Sequence, residues 1–168
     1  EMHYLLLSMT FVSATESPKW DSQPIYVNIP QAGRYSKLMM QAFKEWEYKS
    51  NYLVRFKFLS RPSSANIVVN FVDHVTNCGS KNAVGCARMS IVGGEFYSAQ
   101  LDIAMKSLNS NNEYRPIENI YGVMLHEIGH ALGLAHSNDP NSIMYSYDLP
   151  TLQHLTNDDL ELLYKKYH

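Results

Sequence analysis

The chain is poor in several things that would each direct its reading elsewhere. It has no run of like charge, and its 14 Lys and Arg against 16 Asp and Glu give nothing that would recruit a polyanion, so nucleic acid is not an expected partner. No apolar stretch approaches the roughly 20 residues that a bilayer span requires. Repeats and low-complexity segments are absent. What remains is 168 residues of mixed composition, one domain's worth, and at about this size a chain buries a core without staples.

Cysteine is scarce as well. The only two, Cys78 and Cys86, fall in "NCGSKNAVGCA", a loop rich in Gly and Asn where they can close a small ring. A pair so close in a polar loop points to an oxidising compartment; two reduced thiols are the alternative. At the N-terminus, "HYLLLSMTFVSAT" has an apolar stretch about as short as the central region of a signal peptide, without its positive flank. Leu7, Met9 and Phe11 alternate with Ser8 and Thr10, which favours a core strand. Residues 1–19 are therefore set apart as an extra strand, a prosegment remnant or a signal-like stretch, and residues 20–168 as the folded domain.

Strands and helices then alternate. "PIYVNI" reads as a β-branched strand between two prolines. "SKLMMQAFKEWEYK" places Leu38, Met39, Ala42, Phe43 and Trp46 on one helical face, with Ser36 as the expected cap. "VRFKFL", "NIVVNF", "CARMSIV" and "AQLDIAM" read as further strands, the last two joined as a hairpin through a longer loop around Gly93–Gly94. "IENIYGVMLHEIGHAL" is helical from just after Pro116 to near Gly133. A last helix opens at Thr156, with Asp158 and Asp159 in its first turn, and closes with Lys165 and Lys166. The expected class is α+β: a twisted, five-stranded mixed sheet with a backing helix, the histidine-bearing helix and a C-terminal helix.

The chemistry is concentrated in "VMLHEIGHALGLAHSNDPNSIMY". His126 and His130 are one helical turn apart and project from one face. Glu127 is rotated about 100° from His126, so it can flank an ion held there without binding it, which suits a general base. His136 lies past Gly133 and can join the others only if the chain reverses at that glycine. Three neutral imidazoles with an open fourth position make a catalytic zinc centre, whereas structural sites are closed by four ligands. A lone histidine is more often an ordinary core or surface residue, but the joint spacing is specific. His3, His74, His154 and His168 lack ligand spacing and read as surface residues.

"HEIGHALGLAH" fits HExxHxxGxxH, the zinc signature of the metzincin metallopeptidases, and "SIMY" is similar to their methionine turn, with Met144 beneath the metal. Ser137 after the third histidine resembles the matrixins, and from Trp20 onward the order of elements, including "LTNDDLELLYKKY", is similar to a matrixin (matrix metalloproteinase-like) catalytic domain. The resemblance implies a secreted, monomeric zinc endopeptidase acting on proteins or peptides. Its one catalytic ion would be held by His126, His130 and His136 with Gly133 and Met144 in support, and Glu127 would activate water. It also implies a substrate extended along the edge strand near Ala87 and Arg88, and a pocket walled by the chain after Met144, selecting an apolar side chain after the cut.

Three departures qualify the likeness. The region that holds a structural zinc and calcium in the family lacks the histidines: Met89 stands about where one belongs, and Asp73, His74 and Asp102 are the donors that remain. Neither accessory metal is expected, and the cysteine pair is expected to do their mechanical work. No cysteine precedes Cys78 as a latency switch, so the expectation is a mature chain or one restrained otherwise, for instance by its N-terminal segment. Tyr147 is displaced by one from the family's tyrosine, and Ser146 stands where some metzincins place a fifth, tyrosine ligand, so none is expected. The alternatives are an endopeptidase of another metzincin family or of narrow specificity, and a zinc-binding interaction protein without turnover, against which the intact Glu127 argues.

Overall fold

A computed structural model describes residues 3–4, 17–109, 111–148 and 153–168. The strand expected through Leu7, Met9 and Phe11 lies outside them. Five strands, β2 (Ile25–Asn28), β3 (Phe56–Phe58), β4 (Ile67–Val72), β5 (Gly85–Val92) and β6 (Glu95–Ala104), form one sheet in the order β3-β2-β4-β6-β5. All neighbours are parallel except β5, which runs antiparallel to β6 and, among the described residues, has no partner on its outer side. Separately, β1 (His3–Tyr4) pairs antiparallel with β7 (Tyr147–Asp148).

The helix α1 (Arg34–Lys49) crosses over from β2 to its parallel neighbour β3. Its face of Met39, Ala42, Phe43 and Trp46 is fully buried. Phe43 meets Phe56 and Phe58 edge-on, with ring centroids 4.9 and 6.0 Å apart. Burial of a large apolar side chain contributes about 1.5–3 kcal/mol, so this face seals the helix to the sheet. Trp46 Nε1 also donates to Leu125 O at 3.0 Å, joining α1 to α2 (Ile117–Ala131). The last helix, α3 (Asn157–Tyr167), starts at Thr156 with a reciprocal capping box to Asp159, as its sequence suggests. Among the described residues no helix is long and apolar enough to cross a membrane.

Two local expectations are corrected. Ser36 does not cap α1: the helix starts at Arg34 behind Gly33, whose φ of 57° turns the chain into it. Ser36 instead lies in the first turn and reaches back, its hydroxyl donating to Pro30 O and accepting from Ala32 N, both at 2.6 Å. The β5–β6 hairpin needs no longer loop, because Val92 pairs directly with Glu95. Gly93 and Gly94, at φ 62° and 83°, supply the two successive positive φ angles of a tight turn. A bulge between Ser90 and Ile91 absorbs Tyr97.

Cys78 and Cys86 are joined, with Cα atoms 6.0 Å apart, tying the preceding loop to the start of β5. Arg88 reinforces the tie from the same strand, donating to Asp102 Oδ2 at 2.5 Å and to Thr76 O at 2.6 Å. Asn70 and Gln100 each donate to Asp102 Oδ1 at 3.0 Å. Burial alone would raise the Asp102 pKa, but these hydrogen bonds and the Arg88 charge together hold it below the ordinary value. Asp73 meets Lys106 at 3.0 Å. The acids expected to remain as donors are thus engaged by the chain's own cations and amides. Replacing both cysteines by serine should lower the unfolding free energy by about 2–3 kcal/mol, the closure entropy of so short a loop. Denaturant melts with and without reductant would measure this; coincident midpoints would mean that Arg88 holds the loop unaided.

Candidate metal centre

The helix α2 is buried almost all round, and His126, Glu127 and His130 have no exposed surface. Its C-terminus decides the site. Gly133, at φ 94°, donates to His130 O at 2.8 Å, and Leu134 donates to Gly129 O at 2.9 Å, the paired bonds of a Schellman stop. The chain reverses there and brings His136 back toward the helix. The imidazole centroids of His126, His130 and His136 lie 4.5, 5.3 and 4.7 Å apart.

Backbone carbonyls fix the tautomers. His126 Nδ1 is 2.7 Å from Ile143 O, and His130 Nδ1 is 2.8 Å from Leu134 O. A carbonyl oxygen can only accept, so each Nδ1 carries the hydrogen and each Nε2 keeps its lone pair. Among the described residues, His126 Nε2 and His130 Nε2 are buried without a hydrogen-bond partner. One nitrogen from each of the three rings lies within 4.8 Å of the other two. Among the described residues this is the one cluster of His, Cys, Asp or Glu so arranged. Buried acceptors aimed at one point are costly unless a cation satisfies them, and a set of three neutral imidazoles suits zinc.

Neighbouring elements hold this geometry. Met144 is fully buried against Gly129, where a Cβ would overlap its sulfur. Asp159, buried at the start of α3, accepts from Ser142 Oγ at 2.5 Å and from Ile143 N at 3.1 Å, which fixes the carbonyl that faces His126. Ser137 N donates to Met144 O at 2.9 Å, closing the segment that carries His136. Behind the reversal, Trp20 Nε1 donates to Ala131 O at 2.7 Å and Tyr167 donates its hydroxyl to Leu132 O at 2.9 Å. Lys166 Nζ caps Ser17 O at 3.2 Å.

Burial, and then the charge of His130, hold the His126 pKa well below the imidazole range; burial above all pushes His130 down to about 3. Both rings are therefore neutral at neutral pH, with lone pairs available. Burial, with a smaller push from Asp102, raises the Glu127 pKa well above that of an ordinary carboxylate, and neither of its oxygens has a hydrogen-bond partner. Its carboxylate lies against Gly85 at the start of β5, so closely that a side chain there would overlap it.

The other expected residues scatter more widely. Ala87 is buried in β5, and the Arg88 guanidinium is turned to Asp102. Tyr147 begins β7, its ring 5.3 Å from that of Tyr145. His168 is exposed; His74 is half-buried with Nε2 at 2.7 Å from Asn112 Oδ1; His154 is largely exposed yet bonded to Glu45. Sequence reasoning missed Gly85, Gly129 and the reach of Asp159 to the methionine turn. A glycine inside the HEIGH turn was the one available hint of close approach.

Two outcomes follow. Gly133→Ala would strain the left-handed turn and overlap Pro18 O and Lys166, so it should lower stability by about 1–3 kcal/mol and weaken zinc binding, seen together in thermal melts and zinc titration. In the metal-free protein, the unfolded chain takes up protons near pH 6.5 that buried His126 and His130 refuse. Folded pKa values below unfolded ones mean that the stability contributed by these two rings is full above about 6.5 and is lost toward pH 3, outweighing the single opposite contribution of Glu127, whose raised pKa favours the fold at low pH; denaturant midpoints should decline from about pH 6.5 toward 3, and a flat profile would contradict the burial of neutral rings.

A family model described as matrixin matches residues 24–168. "Probable matrix metalloproteinase 095L" of Invertebrate iridescent virus 3 is 33% identical over 122 residues, covering 68% of this chain and 33% of that protein. "Macrophage metalloelastase" of Oryctolagus cuniculus is 42% identical over 73 residues, covering 41% of this chain and 14% of that protein. "Matrix metalloproteinase-20" of Homo sapiens is 50% identical over 46 residues, 26% of this chain and 10% of that protein. The chain thus spans a third or less of the length of these relatives. With a family match across nearly all of the sheet, the histidine helix and α3, the chain belongs to the matrixin family of zinc metallopeptidases.

Proposed function

We propose that this chain hydrolyses peptide bonds of protein substrates as a zinc-dependent endopeptidase, with His126, His130 and His136 as metal ligands and Glu127 as the general base. The observation that carries the reading is the convergence of the three imidazoles beside a buried carboxylate with no donor of its own. Zinc held by three neutral imidazoles supplies Lewis acidity toward a carbonyl and toward water. Glu127 takes the proton from the attacking water on a carboxylate oxygen and passes it to the leaving amine; its raised proton affinity suits both transfers. Met144 and the Gly133 reversal keep the rings in register.

The outer edge of β5 is unpaired within the sheet and can add an extended peptide as a further strand, with Ala87 and Arg88 on that strand. The chain that follows Met144, with Tyr147, walls the pocket for the side chain after the cut. The catalytic domain is assigned to residues 20–168, with residues 1–19 as an N-terminal segment from which His3–Tyr4 pairs with Tyr147–Asp148 and Ser17 O accepts from Lys166 Nζ; the catalytic unit acts as a monomer. A closed disulfide in the loop before β5 fits secretion into an oxidising compartment.

Zinc-loaded protein should cleave casein or a mixed peptide library and lose that activity to a chelator. Glu127→Gln should cut the rate by about 100- to 10,000-fold with zinc retained, whereas His126→Ala should lose the metal. Tight binding of one zinc with no hydrolysis of any peptide would leave an interaction protein instead.

A further inference from the structure

The structure assigns Glu45, on α1, a positioning role in substrate choice; the assignment rests on the endopeptidase reading. The chain leaves the histidine triad at Met144 and returns at Gln153–Thr156 to start α3. Each flank is held by a buried carboxylate. On the near side Asp159 accepts from Ser142 and Ile143. On the far side it is Glu45, whose side chain is only 9% exposed. It accepts from Leu155 N at 3.0 Å, from His154 Nδ1 at 3.0 Å, from the Tyr121 hydroxyl at 2.5 Å and from Lys49 Nζ at 3.0 Å.

Lys49 Nζ also donates to Leu155 O at 3.3 Å, so α1 holds both backbone polar groups of Leu155. The His154 ring meets the Tyr121 ring at 5.9 Å, and Gln153 lies over Gly122, placing the returning flank on α2 as well as on α1. Tyr121 is little more than one turn before His126 on the same helix. Of the groups that reach Glu45, only Lys49 belongs to its own helix. A carboxylate buried merely to stabilise α1 would not be satisfied chiefly by the returning chain and by α2. Its hydrogen bonds fix where the far flank stands relative to the triad, and so how much room is left beside the metal for the side chain after the cut. Glu45 is bonded to none of His126, His130, His136 and Glu127, so the chemistry itself does not depend on it.

Zinc-loaded full chain and its Glu45→Gln variant, assayed on fluorogenic peptides that differ only in the residue after the cut (Ala, Leu, Phe), decide the matter. The variant should hold one zinc and keep kcat on the Ala peptide. Its preference between large and small residues, as a ratio of kcat/KM values, should shift by about tenfold through KM. Amide exchange should quicken at Leu155 while α2 stays protected. His154→Leu, which removes one donor, should shift the ratio in the same direction by less, and decides if Glu45→Gln does not fold. An unchanged preference in both variants, or a uniform fall in kcat across all peptides, overturns the assignment and leaves the endopeptidase reading intact. A wild-type protein that cleaves nothing overturns that reading first.

Discussion

The site depends on two backbone carbonyls that α2 does not itself provide. Ile143 O and Leu134 O each accept from the Nδ1 of a histidine one turn from the other, and this leaves both Nε2 lone pairs pointing inward. The helix can place His126 and His130 side by side, but it cannot choose their tautomers or stop their rings from turning. That control comes from chain beyond it. The Schellman stop at Gly133 carries Leu134 back over His130, and Asp159 on α3 pins the peptide that presents Ile143. Acceptors that hold the far nitrogen of a ligating imidazole orient the ring and raise its basicity. Here they also make the position of α3 a condition of the metal centre, although α3 contributes no ligand.

The same dependence reaches the sheet. β5 is the edge strand, yet its first residue stands against the Glu127 carboxylate. An edge strand held from one side alone would be a loose wall for a base. The disulfide from Cys78 and the bonds from Arg88 to Thr76 and Asp102 tie it to the loop before it and to β6. Side chains and a covalent link thus brace the strand beside Glu127.

Much of this was legible in the sequence because the decisive constraints are local. Two histidines four apart, a glutamate beside the first, a glycine stop and a third histidine define their relation within a few turns of chain, and the Thr156–Asp159 capping box is equally short-range. Alternating strands gave the order of elements for the same reason. What failed or stayed hidden depends on distant partners or on fine backbone angles. Ser36 looked like a cap because nothing local reveals that Gly33 starts the helix earlier. Two adjacent glycines signal a turn, but only the register of Val92 with Glu95 shows how tight it is. His154 reads as a surface residue and is largely exposed, yet its partner Glu45 is 109 positions away.

Three carboxylates around the site separate by what surrounds them. Asp159 is saturated by the amides and hydroxyls of the methionine turn and the α3 cap. Glu45 is saturated by donors from α1, α2 and the returning chain, enough to lower its pKa against the desolvation that would raise it. Glu127 is fully buried, more deeply than Glu45, and has no donor among the described residues. Held by several hydrogen bonds, Glu45 loses proton affinity despite its partial burial; Glu127, buried without them, keeps a high proton affinity and no committed geometry. Glu127 is the one of the three whose oxygens are not committed to other donors, and it stands beside the one cluster of convergent imidazoles among the described residues. The environment of each acid, more than its residue type, therefore favours Glu127 for proton transfer and the other two for holding the walls around it.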